Sequence, residues 1–329
     1  MFILQILATI ICAGFALWVF GGIYYDVAQR ARWGWAPALI WLVAVTLILV
    51  LVRPYWLALV IVLALCLLFL AWWLTQKPSH DRNWEPNFAT LPRFTIAGDT
   101  LTCEGVRNTQ YLSADEYEVQ TETRQYSLEN LRGMDVLILF WGSNLMCHPI
   151  ALFDFGDNGY LCFSIEVRYR RGENYSTLRN IYRQNEIMMV VCDERDAILM
   201  RTRFSDVNEL YLYRMQEDAE FARDFLDRYI KATNDVYDNP RWYNLVTWNC
   251  TTTIYWMRRD TISWDWRMLL NGNLDRMMYD WGRLFREIPF EELKQTSLIN
   301  ERANAASQEG FSREIREGLP GFDESDMQG

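Results

Sequence analysis

The chain has 329 residues, enough for one or two domains, and its 42 acidic against 32 basic side chains leave a net charge of −10. The imbalance is concentrated: residues 1–75 hold only Asp26, Arg30, Arg32 and Arg53, so the rest carries 29 of the basic and 41 of the acidic side chains, a net of −12. That sign argues against a nucleic-acid partner, which needs a basic face to neutralise phosphate.

Residues 1–75 contain three apolar stretches, Phe2 to Tyr24, Pro37 to Val52 and Tyr55 to Leu74. A helix rises about 1.5 Å per residue, so roughly 20 residues cross a hydrocarbon core of about 30 Å. The reading is three transmembrane helices, the second near the lower length limit. Trp18, Trp33, Trp35, Trp56, Trp72 and Trp73 fall near their ends, as interfacial tryptophans do. The first stretch has no lysine or arginine before it and is too long for a signal-peptide core, so it reads as a retained span. Arg30, Arg32, Lys77 and Arg82 lie on the side of the large domain, against Arg53 on the other. Charge counting alone therefore places that domain in the cytoplasm.

Residues 76–97, with three prolines, read as a linker. From 98 to about 215 the pattern is of short strands: DTLTCEGV, EYEVQTETRQY, DVLILFW, ALFDF, YLCFSIEVRY, EIMMVVCD, AILMRTRF and ELYLYRM. Gln216 to Asn234 is predicted as a helix with Phe221, Phe225, Leu226, Tyr229 and Ile230 on one stripe. A second helix is predicted to start at Cys250, with Asn249 as its N-cap and Arg258 and Arg259 at the negative end of its dipole. The Trp- and Met-rich stretch 263–285 reads as a core helix, with a membrane-surface helix as the alternative. The domain closes near 290, and 291–329 is predicted to be a flexible acidic tail, 301–329 holding seven acids and three arginines.

Seven cysteines show neither a CxxC pair nor regular spacing, so no metal site, disulfide framework or cofactor is indicated. One of them, Cys250, sits where unpaired backbone N–H groups and the positive end of a helix dipole favour both a thiolate and a developing oxyanion. A cysteine nucleophile needs an imidazole. The chain has two histidines; His80 is in the linker, and His148 begins a predicted strand, so His148 is the partner by elimination. Ser164 and Glu166 share a strand face, and Glu166 is the candidate to orient the imidazole. Asn249, Thr251 and Ser164 are candidates for oxyanion or supporting roles. The bland alternatives are a buried structural thiol, a histidine satisfied in the core, and a Glu166 salt bridge to Arg168 or another arginine.

The combination PSHDRNWEP (78–86), FWGSNLMCHPIALFDFG (140–156), SIEVR (164–168), YSTLRNIYRQNEIMMVVCDERD (175–196), LYLYRM (210–215) and YNLVTWNCTTTI (243–254) resembles a bacterial family, that of the Lnb N-terminal periplasmic domain, which includes a lipoprotein N-acyltransferase. The order histidine, polar residue, cysteine is similar to permuted papain-fold enzymes of the NlpC type and to lecithin:retinol acyltransferase, whose nucleophile segment resembles Asn249-Cys250. The resemblance implies an α+β, papain-like fold with Cys250 as nucleophile and His148 as base, in a periplasmic domain on the bacterial inner membrane, against the charge count. It implies a membrane-anchored thiol acyltransferase or hydrolase working through an acyl-thioester, with membrane lipid and a lipoprotein N-terminus as partners. The rivals are a cysteine peptidase or amidase on cell-wall peptides and a non-catalytic membrane-tethered interaction module.

Overall fold

The computed structural model describes residues 2–28, 34–111, 116–173, 176–205 and 207–322. Its residues group into two compact units, one of residues 1–80, 175–186 and 241–245, the other of the remainder.

The first unit holds helices α1 (Phe2–Gly22), α2 (Ala36–Leu51) and α3 (Tyr55–Leu74), with the short α4 (Thr177–Ile181). The helices meet through Ala16, Val19, Val45, Val62 and Cys66, and turn Ile3, Leu4, Ile40, Leu51 and Leu68 outward. Trp18 stacks on Tyr182, while Asp26, deep in the unit, accepts hydrogen bonds from Trp73 Nε1 (3.0 Å) and Gln184 Nε2 (2.8 Å). Among the described residues two helices are long and apolar enough to cross a membrane, Ile3–Val27 and Tyr55–Leu74. The second predicted span forms an apolar helix of 16 residues, about 24 Å long and shorter than the hydrocarbon thickness. Arg30, Arg32 and Trp33 lie outside the described residues.

The second unit is built on a mixed sheet. Its strands are β1 (Arg93–Ala97), β2 (Thr100–Arg107), β5 (Thr121–Ser127), β6 (Gly133–Trp141), β7 (Cys147–Asp154), β8 (Tyr160–Arg168), β9 (Glu186–Asp193) and β10 (Asn208–Arg214); β3 (Gln110–Tyr111) and β4 (Tyr117–Glu118) form a separate ribbon. The order is β1-β2-β9-β8-β7-β6-β10, with β5 also on β2. β6, β7 and β8 are antiparallel neighbours, whereas β2 meets β9 in parallel. Strands buried on both faces read as continuous apolar runs, as DVLILF and IMMVVC do.

Alternate residues supply two cores. On one face Leu137, Leu139, Ile150, Leu152 and Val190 pack with Ile198 of α5 (Glu194–Thr202) and with the C-terminal segment. On the other, Phe153 and Phe163 meet Tyr229 of α6 (Ala219–Asp238), ring centroids 5.9 and 5.0 Å apart.

Several expectations are corrected here. The linker is partly structured: Trp84 is buried beneath Arg168 (4.0 Å), 86–88 form a 3-10 turn, and β1 starts at Arg93. AILMRTRF is helix, not strand, because Asp193 caps it and Ala197, Ile198, Arg201 and Thr202 share a buried face at helical spacing. The 263–285 segment is broken into 3-10 turns at Trp266–Met268 and Asn271–Asn273 and helix α8 (Leu274–Asp280), with Met268, Leu274 and Met277 buried.

The tail is ordered through Phe322 as α9 (Phe290–Thr296), α10 (Asn300–Ala305) and α11 (Phe311–Arg316); residues 323–329 lie outside the described residues. Five of its apolar residues, Ile299 and Ala303, then Phe311, Ile315 and Leu319, recur at four-residue spacing within each set and are fully or nearly buried. At about 1.5–3 kcal/mol for each large side chain, that burial outweighs a polar composition.

Candidate active site

The site is assembled where β7 begins. His148 is the second residue of that strand, and the β7–β8 register, Ile150 opposite Ser164, continues to put His148 across from Glu166. Antiparallel pairing brings such facing side chains to within about 5 Å. The contacts follow: His148 Nε2 lies 2.7 Å from Ser164 Oγ and 3.5 Å from Glu166 Oε1, and Ser164 Oγ donates to Glu166 Oε1 at 2.7 Å. Arg201, from α5, donates to the same oxygen at 2.6 Å, while its other terminal nitrogen bonds Ala197 O. Arg168, the expected rival partner of Glu166, instead donates to the carbonyls of Phe88 and Ala89.

One deduction fixes the tautomer. Ser164 has a single proton, given to the carboxylate, so toward His148 it can only accept. Nε2 must therefore carry a hydrogen, and in the neutral ring Nδ1 is bare. Cys250 lies close enough to act on the ring's protonation, and Nδ1 is the nitrogen not engaged by Ser164. Burial works against a charged His148, but the nearby Glu166 carboxylate and Cys250 prevail and push its pKa up to about 9. Burial likewise opposes the charge on Glu166, yet Arg201 and His148 outweigh it and hold the carboxyl well below its usual range.

Cys250 is the first residue of α7 (Cys250–Arg258), which packs against β7 and β8. Asn249 caps the helix: its Oδ1 accepts from the N–H groups of Thr251 (2.9 Å) and Thr252 (2.7 Å), and its own N–H donates to Thr252 Oγ1 (2.9 Å). This reciprocal box holds a helix start that three threonines would otherwise disfavour. It also consumes two N–H groups at the helix start. The Cys250 N–H has no partner among the described residues. Thr251 Oγ1 lies 3.7 Å from Cys250 Sγ and accepts from Asn271 Nδ2 at 2.7 Å.

The structure thus places Cys250, His148, Ser164 and Glu166 in one contact chain, with Asn249 and Thr251 supporting its cysteine end. Sequence reasoning missed Arg201 and Asn271. Arg201 was hidden by reading its helix as a strand, although Asp193 ahead of ERDAILMRT is a cap signal. Asn271 sits in a turn, LNGNL, that nothing ties to a site 21 residues earlier. His80 belongs to the helical unit. Among the described residues no group of three or more His, Cys, Asp or Glu side chains is arranged to hold a metal ion.

An apolar cavity of about 110 Å³ adjoins the site, walled by Thr251 and Ile254 of α7, Phe225 and Tyr229 of α6, Ala151 of β7 and Met277 of α8.

Residues 117–283 match the family described as the Lnb N-terminal periplasmic domain, about half of the chain, and that span contains every residue of the site. Neither a curated protein nor a solved structure matches. A domain of a periplasmic family and two helices long enough to cross a membrane make this a membrane-associated protein with a periplasmic domain. On a match covering more than half its length, the chain belongs to the family of the Lnb N-terminal periplasmic domain.

Proposed function

We propose that the protein is a membrane-anchored thiol acyltransferase, or hydrolase when water is the acceptor, that carries an acyl group as a thioester on Cys250. The observation that carries this reading is the chain Glu166–Ser164–His148, in which an ionised carboxylate supports an imidazole that neighbours the cysteine thiol. In the first half-reaction His148 holds the proton drawn from the thiol, as its raised pKa favours, and the sulfur attacks the carbonyl carbon of an ester. The Cys250 N–H, at the positive end of α7, is placed to stabilise the oxyanion. The ester C–O bond then breaks, and His148 returns the proton to the leaving alkoxide. In the second half-reaction His148 takes a proton from the incoming amine, which attacks the thioester, and the C–S bond breaks to restore the cysteine. Glu166 stays ionised and stabilises the imidazolium; Arg201 keeps it so.

The apolar cavity beside Thr251 supports a lipid donor over a cell-wall peptide, since a peptide would leave its amides unpaired there. The order histidine, polar residue, cysteine and the start of a helix at the nucleophile support a permuted papain-like arrangement. The reading includes a third, shorter apolar helix in the membrane, an inner-membrane location with the domain in the periplasm, and a lipoprotein N-terminus as acceptor.

The test is incubation of the full chain in lipid nanodiscs with a diacylglycerolipid, followed by mass spectrometry. A hydroxylamine-labile acyl group on the Cys250 peptide, absent from the His148→Ala variant, is the expected result. A folded chain that forms no such adduct from lipid, yet cleaves cell-wall peptides, would overturn the acyl-transfer reading in favour of a peptidase.

A further inference from the structure

Asn271 is bonded to the chain neighbour of each reacting residue. Its Oδ1 accepts from the Cys147 N–H at 3.0 Å and its Nδ2 donates to the Cys147 carbonyl at 2.6 Å, while the same Nδ2 donates to Thr251 Oγ1 at 2.7 Å. Cys147 precedes His148; Thr251 follows Cys250. The Cys147 thiol adds a third tie by donating to Asn271 O at 3.0 Å. Burial, and after it the nearby Cys250, push that thiol well above the usual cysteine range, so it stays a protonated donor.

The need for such a clasp follows from the sheet. The β7–β8 ladder starts only at Ile150 and Ser164, and Pro149 has no N–H to extend it. On that edge the buried main-chain groups of Cys147 would have no strand partner, and a buried amide left unpaired is destabilising. Asn271 substitutes for the missing strand by one amide's width. Its position is set by the next residue: a Cβ on Gly272 would come within 1.9 Å of Asn144 O, so only glycine lets this turn seat against the loop before His148.

We infer that Asn271 is a positioning residue that fixes the start of β7 and the start of α7 relative to each other, holding His148 and Cys250 side by side. With both Nδ2 protons given to Cys147 O and Thr251 Oγ1, it acts through its neighbours, and its 3.9 Å approach to Cys250 Sγ is secondary. This inference rests on the Cys250–His148 reading above.

The experiment is the pH dependence of alkylation of Cys250 by iodoacetamide, read by peptide mass spectrometry on the full chain in nanodiscs. Asn271→Ala is expected to raise the pH midpoint by about one unit and slow alkylation near neutrality about tenfold, since thiolate population scales with that shift. Thr251→Val, which removes only the acceptor on α7, is expected to shift the midpoint in the same direction, and it decides the matter if Asn271→Ala does not fold. Profiles of both folded variants that superimpose on the parent chain would overturn the inference. His148→Ala separates the two levels: if it too leaves the profile unchanged, the Cys250–His148 pair is what fails, whereas a shift in His148→Ala with none in the other variants refutes the role of Asn271 alone.

Discussion

Two of the buried polar networks in the sheet-bearing unit differ in how they end. Around His148 the series runs Arg201, Glu166, Ser164, His148, Cys250: Arg201 and Ser164 both donate to Glu166, His148 Nε2 donates to Ser164, and the imidazole neighbours the thiol. The other joins the C-terminal segment to β6. Arg316 of α11 bonds Asp135 (2.9 Å) and Glu194, its guanidinium lies 3.7 Å from the Tyr160 ring centroid, and Arg214 bridges Asp135 (2.9 Å) and Asp154 (3.3 Å). Both networks perturb their carboxyls, but in opposite directions. Glu166 is held down, with Arg201 the main opponent of burial; Asp135 and Glu194 are pushed up by burial even though Arg316 pulls against it. The Arg316 network closes on itself and has no group left to react. A shifted pKa therefore marks burial among charges, and only the network with a nucleophile at its open end marks chemistry.

The widest separation between the two comes from crossing their variants. Cys250→Ala should lower acyl transfer at least about 10³-fold with little change in unfolding free energy, as losing a nucleophile does. Arg316→Met should leave Asp135 and Glu194 buried without their main cation and cost about 3–5 kcal/mol in denaturant unfolding, with transfer per folded molecule unchanged. A loss of activity in Arg316→Met at full folding would erase the distinction.

Glu166→Gln sharpens it from the other side, and about a tenfold to hundredfold loss of rate is expected from weakened support of the imidazolium. Its pH signature is more specific. The pKa of His148 in the folded chain, about 9, exceeds the roughly 6.5 of an unfolded histidine, so the stability this gives is complete below pH 6.5 and is lost as pH rises through 9. Melting temperatures taken between pH 6 and 9.5 should fall in the parent chain and fall less in Glu166→Gln, which lacks the charge that holds the ring protonated. The smallest effect belongs to Asn249→Ala, about 1 kcal/mol of stability from the lost cap, checked by the same unfolding curves.

The sequence made the ends of the reactive chain legible but not its supports. Asn249 before Cys250 announced a helix start because capping is a local matter of one side chain and its next two N–H groups. Ser164 and Glu166 on a common face followed from strand alternation alone. Arg201 is hidden in AILMRTRF, because a short apolar run fits either period and only the Asp193 cap decides for helix. Asn271 and Arg316 act over 124 and 181 residues of separation, on Cys147 and Asp135, and no local pattern encodes such a pairing. Composition also misled in the tail, where five apolar residues at four-residue spacing outweighed their acidic surroundings.

The reciprocal cap at Asn249 and Thr252 has a consequence for how this site tolerates change. Because α7 can begin at only one residue, the sulfur is specified in angle as well as in reach. One residue added inside the first turn, between the cap and the cysteine, would swing the thiol about 100° around the helix axis. Lengthening the approach before Trp248 leaves that bearing untouched, so the segment arriving at the helix is free to drift while the turn after it is not.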